Sequence, residues 1–166
     1  MQLYKYLGTV IDGNLDWTRN VATCCKRVNQ RLHFIRKLRS FLVNKNILLL
    51  FYQSVVRNVL LYNQVCYYNN VKRADAERLE QVTRTAQKTI RHPHVESPTI
   101  MYETTAVQKL RRIEADSSHP LHPVLSQCAP KRESSRCLIC LKSRTNRLRN
   151  SFVPTAIRLY NQLMPV

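Results

Sequence analysis

Two different periods of hydrophobic and polar residues divide the opening of the chain. Residues 4–11 are rich in β-favouring side chains such as Tyr4 and Tyr6, and this run ends in a turn signal at Asp12-Gly13-Asn14. After Trp17 the apolar residues recur at steps of three and four, the period of one helical face. They are Val21, Cys25, Val28, Leu32 and Ile35. The pattern predicts a short β-hairpin followed by a long amphipathic helix.

Three further long helices are predicted downstream. The first begins after the N-cap residue Asn44 and runs to about Tyr68, with an apolar face broad enough to be buried on more than one side. The second covers residues 72–90, and the third begins at Ser97-Pro98 and runs to about Ala115. The apolar face of the first helix consists of Ile47, Leu48, Leu50, Phe51, Val55, Val59, Leu60 and Tyr62. The inward-facing positions of the second are Ala76, Leu79, Val82 or Thr83, Ala86 and Ile90.

From Ser117 onward, proline and basic residues replace the helical period. Seven Lys or Arg and one Glu lie between Lys131 and Asn150, so residues 117–150 are predicted to form an irregular basic arm. A short terminal helix follows from Pro154 to Leu163. The predicted fold is mainly α, with a β-hairpin over 1–16, a small helical bundle over 17–116 and a basic C-terminal arm over 117–166.

Positive charge is the feature of the composition that narrows the function most. The formal net charge is +17, and eleven Lys or Arg but no Asp or Glu lie between Asp16 and Asp75. Ordinary solvated surfaces mix both signs, so we expect a polyanionic partner, RNA or DNA. Tyr62, Tyr67 and Tyr68 are candidates for stacking on bases, although aromatic residues at helical spacing more often belong to a core.

The cysteines and histidines of the arm raise the alternative of a zinc site. His119, His122, Cys128, Cys137 and Cys140 lie within one segment, and the Cys-x₂-Cys spacing suits tetrahedral Zn²⁺. The residues between the two cysteines lack the glycine of a zinc knuckle. Free thiols are therefore the preferred interpretation, and neither a metal nor another cofactor is expected.

The chain has no apolar run of the roughly twenty residues that a membrane span needs. The amino terminus lacks the basic, apolar and cleavage regions of a signal peptide. We therefore expect an intracellular protein, in the nucleus or the cytoplasm, with no membrane partner.

Several motifs in sequence order resemble non-LTR (LINE-type) retrotransposon reverse transcriptases of the kind common in fish genomes. The resemblance begins with K-Y-L-G-T-x-I-D, L-D-W and C-K-R-V-N-Q-R-L-x-F-I-R-K-L in the opening stretch. It continues with Leu50-Phe51-Tyr52-Gln53-Ser54, with Ser118-His119-Pro120-Leu121-His122, and with Arg144-Thr145-Asn146-Arg147 before Asn150-Ser151-Phe152-Val153-Pro154. Nearly the whole chain is covered, in the order that the region after the catalytic palm has in this family.

This resemblance implies a thumb that holds a primer–template of RNA and DNA. Tyr6, Leu7 and Gly8 would then form a primer grip, and four cations of the first helix would face phosphates: Arg27, Arg31, Lys37 and Arg39. Contacts to RNA or target DNA would come from Lys142, Arg144, Arg147 and Arg149. The catalytic palm of such polymerases presents an Asp-Asp turn for two Mg²⁺ ions, and no Asp-Asp pair occurs in this chain. The expectation is a non-catalytic, thumb-like fragment rather than an enzyme.

A second resemblance covers part of the same stretch. Residues from Tyr6 to about Leu38 are similar to a short module at the amino terminus of AlkB-homologue tRNA-modifying proteins. The iron site of an AlkB-type oxygenase needs a His-x-Asp pair, and a nucleotide-binding methyltransferase needs a glycine-rich turn; this chain has no His-x-Asp and only two glycines. The alternatives to a thumb are therefore the non-catalytic module of such a protein, or a retrotransposon remnant without function.

Overall fold

A computed structural model of the chain describes residues 3–91, 95–129 and 137–163. It divides into two compact units, Met1–Met101 and Tyr102–Val166. The described part is mainly α-helical and begins with an antiparallel hairpin, as predicted. The three-part division at residues 16 and 116 stays a prediction. No helix in the described ranges combines the length and the apolar character that a bilayer crossing needs.

The hairpin consists of strands β1 (Leu3–Tyr6) and β2 (Thr9–Asp12), with Tyr6 opposite Thr9. Its two-residue turn is formed by Leu7 at φ 44° and Gly8 at φ 83°. Positive φ at both positions is the type I′ geometry that suits the twist of paired strands. The predicted turn at Asp12 also forms, directly after the hairpin, where the amide of Leu15 donates to the carbonyl of Asp12 at 2.8 Å.

Helix α1 (Thr18–Ser40) buries Val21, Val28, Leu32 and Ile35, as predicted. The prediction of Cys25 on this face was wrong, since Cys24 is buried and Cys25 is only partly covered. Steps of three and four from Val21 through Cys24 to Val28 also keep one face, so the period alone allowed either cysteine.

The predicted helix over residues 44–68 is divided into shorter pieces. Asn44 caps the first piece as predicted, because its side chain accepts a hydrogen bond from the amide of Asn46 at 2.9 Å. The continuous helix was wrong: it ends near Tyr62, and Asn63 adopts a left-handed φ of 55°, a conformation that asparagine tolerates better than most residues. The pieces are α2 (Lys45–Phe51), a π-helical turn (Tyr52–Arg57), α3 (Asn58–Leu61), α4 (Gln64–Tyr67) and a 3₁₀ turn (Tyr68–Asn70).

This segment buries one side rather than several. The buried residues Leu48, Tyr52, Val56 and Leu60 follow one another at steps of four. Three residues of the predicted apolar face are instead exposed: Ile47 at 56%, Leu50 at 64% and Tyr62 at 50%. Several apolar side chains of this segment therefore lie on the surface, where they can contact a ligand.

Helix α5 (Arg73–Ile90) lies parallel to α1, with both amino ends together and both carboxyl ends together. Thr18 Oγ1 lies 2.6 Å from Asp75 Oδ2 at one end, and Arg39 Nη1 donates to the carbonyl oxygen of Thr89 at 2.9 Å at the other. The predicted inward residues are buried except for Ala76, whose place is taken by Asp75.

Helix α6 (Pro98–Ala115) begins as predicted, with Ser97 Oγ accepting from the amide of Ile100 at 3.3 Å. Helices α7 (His122–Ser126), α8 (Asn146–Arg149) and α9 (Phe152–Leu163) follow. The prediction of an irregular arm over 117–150 is therefore wrong for α7 and α8. Proline in the first turn of α7 and the Thr145 side chain capping α8 account for these helices. Residues 130–136 of the arm lie outside the described residues.

Candidate nucleic-acid interface

A groove of about 440 Å³ runs between α1 and the segment made of the π-helical turn and α3. One wall is a face of α1 whose residues are spaced at three and four, and the other wall alternates polar and apolar side chains: Ser54, Val55, Asn58 and Val59. The hairpin turn lies at the groove as well. The lining residues include Gly8, Asn20, Thr23, Cys24, Arg27, Arg31, Ser54, Asn58, Tyr62 and Tyr67.

Arg27 and Arg31 give this groove its charge. They are one helical turn apart on α1, and both are partly exposed. Among the described residues that line the groove none carries a carboxylate, and within the described ranges neither arginine forms an ion pair. The two guanidinium groups therefore remain available to an anionic ligand.

The other titratable groups of the groove do not offset this charge. Burial raises the pKa of the Cys24 thiol to about 12, with a smaller contribution from the neighbouring Cys25. Burial also raises the pKa of the Tyr67 hydroxyl. Both groups are neutral at physiological pH, so the groove keeps a charge of about two positive units, enough to contact two phosphates.

Hydrogen bonds hold the hairpin turn against the groove. The hydroxyl of Tyr62 donates to the carbonyl oxygen of Leu7. Asn63 Nδ2 donates to Thr9 Oγ1 at 3.0 Å, and the amide of Val10 donates to Asn20 Oδ1 at 3.1 Å. Tyr62 and Asn63 are the residues at which the helix breaks, so the break positions the hairpin.

Of the three residues expected to form a primer grip, Gly8 lines the groove with Arg27 and Arg31. Tyr6 and Leu7 are 66% and 73% exposed and do not line it. The structure thus brings Gly8, one of the three residues of the expected grip, and two of the cations expected to face phosphates around a single space.

The other two cations predicted on α1 lie elsewhere. Lys37 is exposed near the carboxyl end of the helix, about 15 Å along the axis from Arg27. Arg39 lines a separate cleft of about 510 Å³ that also includes Arg36 and Lys88. Because the Arg39 guanidinium already donates to the Thr89 carbonyl, part of its hydrogen-bonding capacity serves the packing of α1 on α5.

The basic residues predicted in the arm belong to the second unit. Lys142 and Arg144 precede α8, Arg147 and Arg149 lie on it, and all four are exposed. Within this unit Asn161 of α9 accepts from the amide of Leu138 and donates to its carbonyl, at 2.9 and 2.8 Å. These bonds attach the segment before α8 to the terminal helix.

The alternative of a zinc site is not supported by the positions of its residues. His119 Nδ1 accepts from the amide of Leu121 at 3.1 Å, and Cys140 Sγ lies 3.8 Å from the carbonyl oxygen of Pro154. Across the described ranges, which include all five candidate ligands, no three His, Cys, Asp or Glu side chains come close enough to share an ion. Cys128 is buried, and all six cysteines are free thiols.

The structure confirms that Tyr67 and Tyr68 belong to the core, the interpretation that the sequence favoured over stacking on bases. Tyr67 and Tyr68 are buried, with Tyr67 packed against Trp17 at a ring-centroid distance of 5.7 Å, so neither presents a face to bases. Tyr62 remains half-exposed at the groove.

The polar lining Asn20, Ser54 and Asn58 was missed in the sequence. The helical period places these residues beside the buried apolar positions, but no local pattern indicates that α1 and the segment of the π-helical turn and α3 face each other across a groove.

A comparison with known protein families finds a match within the first unit. Residues 17–57 match the family model described as "Alkylated DNA repair protein alkB homolog 8, N-terminal". No curated protein and no solved structure matches the chain. The match covers 41 of the 166 residues, and it includes α1, α2 and the π-helical turn with Arg27 and Arg31. The opening helical segment is thus similar to the amino-terminal module of that family.

Proposed function

We propose that the first unit is a non-catalytic nucleic-acid-binding module whose groove holds a sugar–phosphate backbone. The observation that carries this proposal is the pair Arg27 and Arg31, which share one face of α1 and have no carboxylate partner in the described ranges. Guanidinium groups bind phosphate oxygens in a bidentate manner. On the opposite wall the Asn58 amide donates one hydrogen to the carbonyl of Ser54 at 2.6 Å and has a second N–H to offer, whereas the Ser54 hydroxyl already donates to the carbonyl of Leu50 at 2.8 Å.

The charge of the whole chain supports the same partner. With a net charge of +17, the chain attracts polyanions over a distance of about one Debye length, and the groove then fixes where the backbone lies. Arg27 and Arg31 would bind through phosphate rather than through base edges, so little sequence preference is expected from them.

The match of residues 17–57 favours a module of the AlkB-homologue type. The matched range contains both Arg27 and Arg31, so the similarity extends to the proposed site. In that setting the ligand is a structured RNA such as tRNA. The module would bind it without supplying chemistry of its own.

A second candidate is the thumb of a LINE-type reverse transcriptase, favoured by the series of motifs from Lys5 to Pro154. In that setting the groove grips the backbone of an RNA–DNA primer–template and Gly8 lies near the primer end. A detached remnant of the same element would keep the fold and could have lost the affinity.

The test is the salt dependence of binding by the full chain and by an Arg27→Gln/Arg31→Gln variant. We expect the slope of log affinity against log salt to fall by about 1 for each arginine removed. An Arg84→Gln/Arg112→Gln variant is the matched control, because it removes the same charge from two exposed helical positions outside the groove. If the control lowers the slope as much as the groove variant does, the groove is not the binding site.

The same titration separates the two settings. Tighter binding to tRNA than to an RNA–DNA hybrid supports the AlkB-homologue type of module, and the opposite order supports the thumb. Absence of salt-dependent binding to either ligand contradicts the proposed function and leaves the non-functional remnant.

A further inference from the structure

Two phenylalanines project from α1 into solvent on the face that continues the arginine groove. Phe34 is 56% exposed and Phe41, directly after the last helical residue, is 74% exposed. Phe34 follows Arg27 by seven positions and Arg31 by three, and Phe41 follows Phe34 by seven. These spacings are whole helical turns to within a fraction of a residue, so the four side chains form one row.

The row also contains a lysine. Lys37 lies between the two rings, three positions after Phe34, and it is exposed. No Asp or Glu occurs between Asp16 and Asp75, so the row has no acidic residue on its own helix or on the neighbouring segment up to the 3₁₀ turn. Exposed aromatic rings between cations are the combination with which proteins hold single-stranded nucleic acid, with phosphates on the cations and bases on the rings.

The length of the row fits a strand of a few nucleotides. Seven residues of α-helix place Phe34 and Phe41 about 10.5 Å apart along the axis. Stacked nucleotides advance about 3.4 Å each along one strand, so the two rings are about three nucleotides apart. In a duplex the faces of the bases are covered by their neighbours, whereas an unpaired strand can turn its bases onto protein rings.

We propose that Phe34 and Phe41 stack on unpaired bases of a single strand whose phosphates follow Arg27, Arg31 and Lys37. This inference rests on the proposed function and specifies its ligand. Arg27 and Arg31 contact the backbone of any nucleic acid, and the phenylalanines add affinity only where bases are unpaired.

Other occupants of the row predict different results. Leu42, Ile47 and Leu50 are also exposed near its end, so an apolar protein surface or a membrane could cover it. The unbroken positive charge of the row favours a polyanion over a protein surface of mixed charge. The position of Phe34, three residues after Arg31, favours nucleic acid over a bilayer, because Arg27 and Arg31 line a groove that a single strand can enter and a bilayer surface cannot.

The experiment compares binding of an oligothymidylate single strand and of a blunt DNA duplex to the full chain and its variants. Phe34→Leu and Phe41→Leu keep an apolar side chain but remove the ring, and Phe34→Tyr and Phe41→Tyr keep the ring. Tyr4→Leu is the matched control, since it removes another exposed aromatic ring, 56% exposed, from the hairpin.

We expect each leucine variant to weaken single-strand binding about fivefold, the lower end of measured base–aromatic stacking, and to leave duplex binding unchanged. The tyrosine variants should bind as the parent chain does, and a 2-aminopurine base in the strand should lose fluorescence on binding only when the rings are present. This fluorescence signal reports stacking independently of any effect of the variants on folding.

Three outcomes would overturn the inference. Equal loss of single-strand and duplex affinity would mean that the rings act only through the fold. Unchanged single-strand binding together with lost binding to phosphatidylserine vesicles would assign the row to a membrane, and unchanged binding to both would leave a protein surface. None of these outcomes decides whether Arg27 and Arg31 bind phosphate, because the salt dependence of duplex binding tests that proposal independently.

Discussion

The hydroxyl of Thr18 lies 2.6 Å from a carboxylate oxygen of Asp75, a residue 57 positions away that is almost completely buried. The same carboxylate accepts from Arg78 Nη1 at 3.2 Å. Thr18 Oγ1 is also 2.6 Å from Asp16 Oδ1 and can donate to only one of the two carboxylates at a time. These contacts join the first turns of α1 and α5 and fix the amino ends of the two helices side by side.

Asp75→Ala is expected to lower the free energy of unfolding by about 1.5–3 kcal/mol, because it removes the buried carboxylate that accepts from Arg78 and contacts the Thr18 hydroxyl, and hydrogen bonds to a charged group contribute about this much. Glu77→Ala, which removes a carboxylate from an exposed position of the same helix, should change it by less than about 0.5 kcal/mol. Urea unfolding followed by circular dichroism measures both values. A Thr18→Val/Asp75→Ala double-mutant cycle should show coupling of at least about 0.5 kcal/mol. Equal effects of the two alanine variants would contradict this account.

Asp16 has a pKa lowered to about 2, mainly because its carboxylate accepts a hydrogen bond from the Lys72 ammonium group and secondarily through Thr18. A lowered pKa in the folded state stabilises the fold above the ordinary carboxyl pKa near 3.8, and this stabilisation is lost as the pH falls from about 4 towards 2. Carboxyl chemical shifts followed by NMR should give the low value. In Lys72→Gln the pKa should rise towards 3.8, whereas Lys88→Gln, at the far end of α5, should leave it unchanged.

The strong periodic elements could be predicted because each depends on local spacing. The buried face of α1 and the caps at Asn44 and Ser97 depend on residues within one or two helical turns of each other. The choice between Cys24 and Cys25 could not be made in this way, since both satisfy a helical period. It depends on where the elements around α1 lie, as the contact of Cys24 Sγ with the carbonyl of Val59 at 3.6 Å illustrates.

The break of the helix at Asn63 could not be predicted from local spacing either, and it positions one wall of the candidate site. Locally, residues 58–68 favour one helix, but Tyr62, Asn63 and Gln64 form hydrogen bonds to Leu7, Thr9 and Pro98. Those partners lie 34 to 55 positions away, so no local pattern contains them. Arg27 and Arg31 could be predicted as neighbours from their spacing, whereas the opposite wall of their groove could not.

The turn of the hairpin carries a residue that is poorly suited to it. Leu7 has a φ of 44° and is 73% exposed, so its side chain contributes little buried area while its backbone is strained. Leu7→Asn should therefore raise the free energy of unfolding by about 1 kcal/mol, since Asn-Gly is the preferred pair for this turn. The Tyr62 hydrogen bond to the carbonyl of residue 7 should be retained.

Gly8→Ala should have the opposite effect and cost about 1 kcal/mol. The cost comes from the backbone, because an added Cβ would lie 3.7 Å from Tyr62 Cε1, an ordinary contact distance. Gly13→Ala is the control: Gly13 lies outside the positive-φ region, so alanine should be neutral or slightly stabilising there. Thermal unfolding of Leu7→Asn, Gly8→Ala and Gly13→Ala tests both predictions for the turn. Equal unfolding midpoints for the two alanine variants would contradict the prediction for Gly8.

Two cations near the carboxyl end of α1 differ in what they contact: Arg39 helps to pack the helix, whereas Lys37 does not. Arg39 Nη1 donates to the carbonyl oxygen of Thr89, one of the last four carbonyls of α5, which have no partner inside their own helix. Lys37 is exposed, and no ion pair or hydrogen bond of its side chain occurs within the described ranges. Arg39→Gln should lower the free energy of unfolding by about 1 kcal/mol, and Lys37→Gln should leave it within about 0.5 kcal/mol. If the glutamine variants unfold at the same urea concentration, the bond to Thr89 contributes nothing to the packing of the two parallel helices, and Arg39 returns to the group of cations available for phosphate.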